Sequence, residues 1–253
     1  SVEAEKAKVD MPYMIELTHK SEEEILSDLN GVIFLNPEHG GNEDVAHKYL
    51  PADEYLSGNV REKLVLARKS AELYPEDYTV NVEALERVQP KDLTASEIAV
   101  RLGATWLPTE IVEQFMFEFL GTPRYAQWNI KVHFSAYTGE WNIEGKSYDR
   151  SNVKAYSTYG TGRINAYKII EETLNLKDVR IFDYVEDADG KKKAILNKKE
   201  TAIAQAKQEL IKQGFQDWVW SDPERRERLC ILYNEKFNSL RPREYDGSHI
   251  VFR

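Results

Sequence analysis

Apolar positions recur at helical spacing through most of the first 120 residues and alternate with polar ones through much of the second half. Ser21 with Glu24 is a capping box, Ile25, Leu26 and Leu29 form one face and Gly31 supplies a stop, so 21–30 reads as a short helix followed by a buried strand at Val32–Leu35. Asn59 with Glu62 opens a longer helix whose Val60, Leu64, Ala67 and Ala71 share a face, ending before Pro75. Thr94 with Glu97 caps a third helix, carrying Ile98 and Leu102 and stopped by Gly103, and a fourth runs from Pro108 and Thr109 to Gly121.

Beyond Gly121 the pattern changes. Ile130, Val132 and Phe134 alternate with polar residues, and the alternation resumes at Trp141 and Ile143 after Thr138-Gly139, which predicts a β-hairpin. Val179–Val185 and Ala194–Leu196 flank Asp189-Gly190, a second hairpin signal. Helices are expected at 163–174, at 198–214 capped by Asn197 and Glu200, and at 222–238 capped by Ser221 and Glu224. The expected class is α+β, with a helical first half and a second half of antiparallel hairpins packed by helices. Pattern and charge both change at Gly121–Pro123, so the division reads as an acidic, mostly helical 1–120 and a mixed 121–253.

Composition sharpens this. The chain has 253 residues, 42% hydrophobic and 30% charged, enough for a folded core. No apolar run approaches membrane-helix length, and residues 1–30 lack the order of a secretory signal, so the expectation is a soluble cytoplasmic protein with no membrane partner. The lone Cys230 cannot form an internal disulfide and falls on a helix as a buried, inert thiol, and the five histidines are dispersed, so no metal site is expected.

The net charge of −9 is uneven, at −13 over 1–118 and +4 over 119–253. Residues 119–170 hold Arg124, Lys131, Lys146, Arg150, Lys154, Arg163 and Lys168 against three acids. Charges beyond about 8–10 Å are largely screened at physiological salt, so a local basic patch attracts phosphate whatever the total. Tyr125, Trp128, Phe134, Tyr137, Trp141, Tyr148, Tyr156, Tyr159 and Tyr167 are interleaved with these cations, the pairing that binds single-stranded nucleic acid; strand alternation must bury about half of the rings.

Tyr159-Gly160-Thr161-Gly162-Arg163 precedes a helix, and its N–H groups, hydroxyl and guanidinium could converge on a phosphate; the alternative is a tight turn whose glycines take positive φ. It lacks the spacing of a nucleotide-cradling P-loop. Thr94–Leu102 with Thr109–Leu120 has helix-turn-helix order, but the second helix displays Glu110, Glu113 and Glu118 and no cation, so an ordinary packed pair is the better reading. Asn36-Pro37-Glu38-His39 before Gly40 and Gly41 lacks the aromatic that a base-holding NPPY loop needs and reads as a surface turn. Lys191, Lys192 and Lys193 read as a solvated hairpin tip, His133 as a core or surface imidazole, and Arg241 and Arg243, held extended by Pro242, as contacts for nucleic acid or a neighbouring domain.

Four longer words, YLSGNVREKL (Tyr55 to Leu64), LGATWLPTEIVEQFMFEFL (Leu102 to Leu120), STYGTGRINAYKIIEETLN (Ser157 to Asn175) and YNEKFNSLRPREYDGSHI (Tyr233 to Ile250), resemble the large bacterial and phage proteins that join an adenine-specific DNA methylase to a SWI/SNF-type helicase. The resemblance implies a segment between methylase and motor. ATP, magnesium and S-adenosylmethionine would then be bound elsewhere in the parent, with no cofactor and no catalytic residue here. The resulting expectation is a noncatalytic module contacting single-stranded or duplex DNA through Arg124, Trp128, Lys131, Trp141, Arg150, Lys154, Tyr159, Gly160, Gly162, Arg163, Lys168, Arg241 and Arg243. The alternative is a scaffold docking the adjacent helicase or methylase domain.

Overall fold

Pro75 closes one helix and opens the next, because a proline ends the helix before it yet is accommodated in a first turn, where its missing N–H has no partner to lose. The computed structural model describes residues 9–39 and 47–244. Along the chain run α1 Met11–Thr18, α2 Glu22–Asp28, β1 Ile33–Leu35, β2 Tyr49–Pro51, α3 Ala52–Tyr55, β3 Gly58–Asn59, α4 Val60–Leu73, α5 Pro75–Arg87, α6 Thr109–Leu120 and α7 Arg124–Gln127. Next come β4 Lys131–Ser135, β5 Glu140–Glu144, α8 Ala166–Leu174, β6 Phe182–Glu186, β7 Lys192–Leu196, α9 Lys198–Val219, α10 Pro223–Phe237 and β8 Leu240–Arg241. The sheets among the described residues are two-stranded and antiparallel, and helices dominate, so the class is α+β.

Two units result, one from residues up to Leu93 and from Leu232, the other Thr94–Ile231. Gly121–Pro123, where the charge changes, lies inside the second, between α6 and α7.

In the first unit, successive residues of β1 point to opposite faces and feed two cores. Ile33 joins Val9, Met11, Ile25 and Tyr49, while Phe34 joins Tyr55, Val60, Leu64, Ala67 and Leu85. Asn81 is buried beside the second and donates to the Leu35 carbonyl at 2.8 Å and to the Tyr55 hydroxyl at 3.0 Å. Word by word, YLSGNVREKL is structural. Tyr55 stacks on Phe34, Asn59 caps α4, and Lys63 donates to the carbonyls of Glu54, Tyr55 and Ser57. Arg61 donates to the carbonyl of Asn238 at 2.9 Å and pairs with Asp92.

The second unit treats two extended segments alike, with helix side chains taking the place of a neighbouring strand. Asn175, the residue after α8, holds both main-chain groups of Trp141 on β5, and Glu171 accepts from the Ile143 N–H at 2.8 Å. From α9, Gln208 accepts from the Val179 N–H, Gln205 donates to the Val179 carbonyl and Thr201 accepts from the Ile181 N–H. Gly214 lets α9 approach α6, since a Cβ there would lie 2.2 Å from the Phe119 ring. At the end of α9, Arg225 stacks 3.5 Å over the Trp218 ring and donates to the carbonyls of Trp218 and Val219.

Several expectations change. The Glu97 carboxylate accepts from the Thr94 N–H and hydroxyl, but no helix succeeds them; Ile98, Val100 and Leu102 are buried while Ala99 and Arg101 are exposed, a period of two rather than that of a helix. With that helix absent, the packed helical pair expected over 94–120 is absent too. Helix α8 starts at Ala166, capped by Asn165, so Arg163 lies outside it, and α9 continues past Gly214 to Val219. Asp222, not Ser221, accepts the Arg225 N–H at the start of α10. Helices α1 and α5 lie outside the elements expected from the sequence, although Asp10 before Met11-Pro12 and Pro75 before Glu76-Asp77 are start signals.

Candidate nucleic-acid interface

Burial sorts the rings first. Tyr125, Trp128, Tyr137 and Tyr148 are exposed, Phe134, Tyr156 and Tyr159 are half-buried, and Trp141 and Tyr167 are buried. Trp141 faces inward because β5 alternates, and at 3% exposure it offers no open face for stacking, which corrects its expected place among the DNA-contacting rings. Tyr159 leans on Phe119, with ring centroids 4.3 Å apart. The Tyr167 hydroxyl donates to Asp149, and its pKa is raised by burial and by that carboxylate.

Ion pairing sorts the cations next. Lys146 and Lys168 both reach Glu171, at 2.5 and 2.6 Å, and Lys168 also reaches Glu172. Burial raises the Glu171 pKa, but the Ile143 N–H and the two ammonium groups outweigh it and hold the carboxyl below its ordinary range. Arg163 pairs with Asp183 at 2.8 Å and donates to the Phe182 carbonyl. Arg241 pairs with Glu244, and Arg243 with Asp53 and Glu54. Tyr245–Ile250 of the fourth word lie outside the described residues, as do Gly40 and Gly41.

The Tyr159–Arg163 loop uses its polar groups internally. The Thr161 hydroxyl accepts from the N–H groups of Arg163 and Ile164, and the Thr161 N–H donates to the Ile164 carbonyl. Neither Gly160 nor Gly162 has positive φ; Gly160 is required by close approach, since a Cβ would lie 2.2 Å from the Ala155 carbonyl oxygen. The Thr161 hydroxyl is thereby engaged within the loop, and the Arg163 guanidinium is engaged by Asp183 and the Phe182 carbonyl.

Arg124, Arg150 and Lys154 remain exposed and make no ion pair among the described residues. Arg124 and Trp128 share a groove of about 330 Å³ with Phe117, Gln127 and Lys131. Pro123 starts the short α7 and Trp128 ends it, and Trp128 is 82% exposed. Lys154 lies over Gly121 at the end of α6. The groove continues past Phe117 toward Glu110, Glu113 and Glu118, and Lys131 stands 3.8 Å from Glu113, so one end is cationic and the other acidic.

His133 is exposed beside Glu144. Cys230 is half-buried rather than buried, and burial raises its thiol pKa against the opposing pull of Arg226. Among the described residues no group of three His, Cys, Asp or Glu could hold a metal, and no helix is long and apolar enough to cross a membrane.

In the first unit, α1 and α2 are joined by three residues with His19 left-handed, and the β1–β2 pair comes next, which is helix-turn-helix order with a strand pair behind it. Glu22 accepts from Lys48 at 2.7 Å and from the Tyr49 hydroxyl at 2.6 Å, tying α2 to the strand pair. These bonds lower the Glu22 pKa, while burial and the carboxylate push Tyr49 up to about 12.

Residues 4–48 match the family model described as probable helicase, winged helix domain, which marks the segment as helicase-associated. No curated protein and no solved structure matches the chain. Residues 101–239, more than half of the chain, match the family described as domain of unknown function DUF8437, and the chain belongs to that family.

Proposed function

We propose that this chain is a noncatalytic, DNA-contacting module of a helicase. The observation that carries the reading is the open Trp128 ring in one groove with Arg124 and Lys131, a stacking face with cations beside it. The winged-helix likeness of 4–48 supports the helicase context. The finer placement, between an adenine-specific methylase and a SWI/SNF-type motor of a mobile element, rests on the four resembling words. ATP, magnesium and S-adenosylmethionine then belong to those neighbours.

Fluorescence anisotropy of the full chain with labelled single-stranded and duplex DNA over a salt series tests this. Arg124→Ala with Trp128→Ala should weaken single-strand binding about tenfold or more, since a stacked base contributes about 1–3 kcal/mol and a phosphate contact adds to it. Absence of binding by the unaltered chain at about 50 mM salt rejects the reading.

One observation favours a second reading, a scaffold docking a neighbouring domain. The first turn of α2 carries Glu22, Glu23 and Glu24, and a helix so charged is repelled by phosphates in a major groove while suiting a basic protein surface. Association with the isolated motor domain without DNA, abolished by Glu23→Lys with Glu24→Lys, distinguishes it.

A further inference from the structure

The β6–β7 hairpin is exposed on both faces. A strand pair lying on a core alternates buried and exposed residues, but every residue of β7 is exposed, and on β6 only Asp183 is half-covered. Phe182 opposite Leu196 and Tyr184 opposite Ala194 form one face, with Tyr184 72% exposed. The base is held firmly. Arg163 grips Asp183 and the Phe182 carbonyl, Asn197 donates to Asp183 at 2.8 Å, and the Asn197 N–H donates to the Ile181 carbonyl. The hairpin is therefore a projecting arm on a fixed base.

Its charge runs against local rules. Lys191, Lys192 and Lys193 stand side by side along the turn and β7, and Lys198 and Lys199 open α9, where the helix dipole disfavours cations. All five are exposed, and none makes an ion pair among the described residues. Glu186 stands directly opposite Lys192 on β6, and no ion pair between them forms among the described residues. Asp183 is engaged by Arg163 and Asn197, and Asp187 accepts the N–H groups of Asp189 and Lys191 to hold the turn. Five cations without an ion pair lie on nine residues, two of them where the helix dipole opposes them, and they make this hairpin and the start of α9 an exposed cationic surface. Lysines on an edge strand also oppose pairing with another chain's strand, which disfavours a second copy as the occupant.

We infer that this hairpin is a second nucleic-acid contact, which takes single-stranded nucleic acid with its phosphates along Lys191–Lys193 and Lys198–Lys199 and a base stacked on Tyr184. The inference rests on the DNA-contacting reading for its ligand class but places the contact away from the Trp128 groove. Lys192 and Tyr184 lie on the same hairpin face, since Glu186 pairs with Lys192 two residues beyond Tyr184, so cation and ring can serve one nucleotide.

The test is anisotropy of the full chain with labelled oligothymidine of about 20 nucleotides and with duplex of the same length, in a salt series. Lys191→Ala, Lys192→Ala and Lys193→Ala together should weaken oligothymidine binding about tenfold or more and reduce the log–log salt slope by about 2, from about 0.7 per phosphate contact. Tyr184→Ala should weaken single-strand binding more than duplex binding. Both variants alter exposed side chains, and an unchanged melting curve checks that they fold. Hairpin variants that bind as the unaltered chain does, while Arg124→Ala with Trp128→Ala loses affinity, overturn this inference and leave the proposed function standing. No binding by the unaltered chain overturns both. Equal effects of Tyr184→Ala on single strand and duplex, or a dimer in sedimentation that Tyr184→Ala dissolves, overturn the single-strand assignment.

Discussion

The Asn175 carboxamide holds both polar main-chain groups of Trp141, accepting its N–H at 2.9 Å and donating to its carbonyl at 2.8 Å. An antiparallel partner strand makes the same pair of bonds, so one side chain closes the edge of β5 where the two-stranded sheet ends. Asn175→Leu keeps the approximate volume and removes both bonds, with a third that the carboxamide donates to the Glu171 carbonyl, leaving a partly buried N–H and C=O of Trp141 without partners. It should destabilise the chain by about 2 kcal/mol. Urea unfolding should show a lower midpoint at unchanged slope, and an unchanged midpoint would mean that water serves the edge as well.

Glu171, which bonds Ile143 two residues along the same edge, sets an acid limit on stability. Its pKa is lower folded than unfolded, so the unfolded chain takes up the proton first as pH falls. The stabilisation is complete above the unfolded value of 4.5 and is lost as pH drops through the folded value. Melting temperatures of the unaltered chain and Glu171→Gln, compared between about pH 3 and 7, should differ by a constant amount at the upper end and converge toward the lower. A difference independent of pH would show that the carboxylate's charge is not what stabilises.

Gly214 sits in the interior of α9, where alanine ordinarily gains about 1 kcal/mol. Here the added methyl would meet the Phe119 ring at 2.2 Å, and that ring is itself held by Phe115 and Tyr159. Gly214→Ala should therefore destabilise by about 1–3 kcal/mol. Phe119→Leu in the same chain should recover part of the loss, a coupling that a double-mutant cycle measures. Independent, additive effects would remove the close approach as the reason for the glycine.

Lys63 reaches back from α4 to the end of α3 and the turn between them, where its ammonium serves three carbonyls, with burial lowering its pKa against the opposing pull of Glu38 and Glu54. Lys63→Met keeps the apolar stem and removes the donors. It should lower stability by about 1–3 kcal/mol without altering DNA affinity, since this residue closes a turn in the first unit. Parallel melting and anisotropy measurements check both halves; lost affinity with unchanged stability would recast YLSGNVREKL as a binding word.

Local chemistry was legible at several places where the partners lie three or four residues apart, though not at Asp10 or Asp222. The capping patterns at Ser21, Asn59 and Asn197 and the turns at Gly139 and Gly190 read correctly because each bond closes within one turn of chain. Thr94 with Glu97 shows the limit of such signals. The Glu97 carboxylate takes the Thr94 N–H, yet the residues beyond bury alternate side chains, and packing overrides the helix this pairing invites.

The cationic, ring-bearing surface was legible only as a composition. Arg163 finds Asp183 across 20 residues and Lys146 finds Glu171 across 25, while alternation on β5 turns Trp141 inward and leaves Trp128, at the end of α7, in the open. The sequence by itself determined where helices are capped, where hairpins turn and that basic and aromatic residues gather after Gly121. Only the tertiary structure decided which of those cations are neutralised, because ion pairing and burial depend on distance in space, and the chain brings distant carboxylates to some lysines and arginines and not to others.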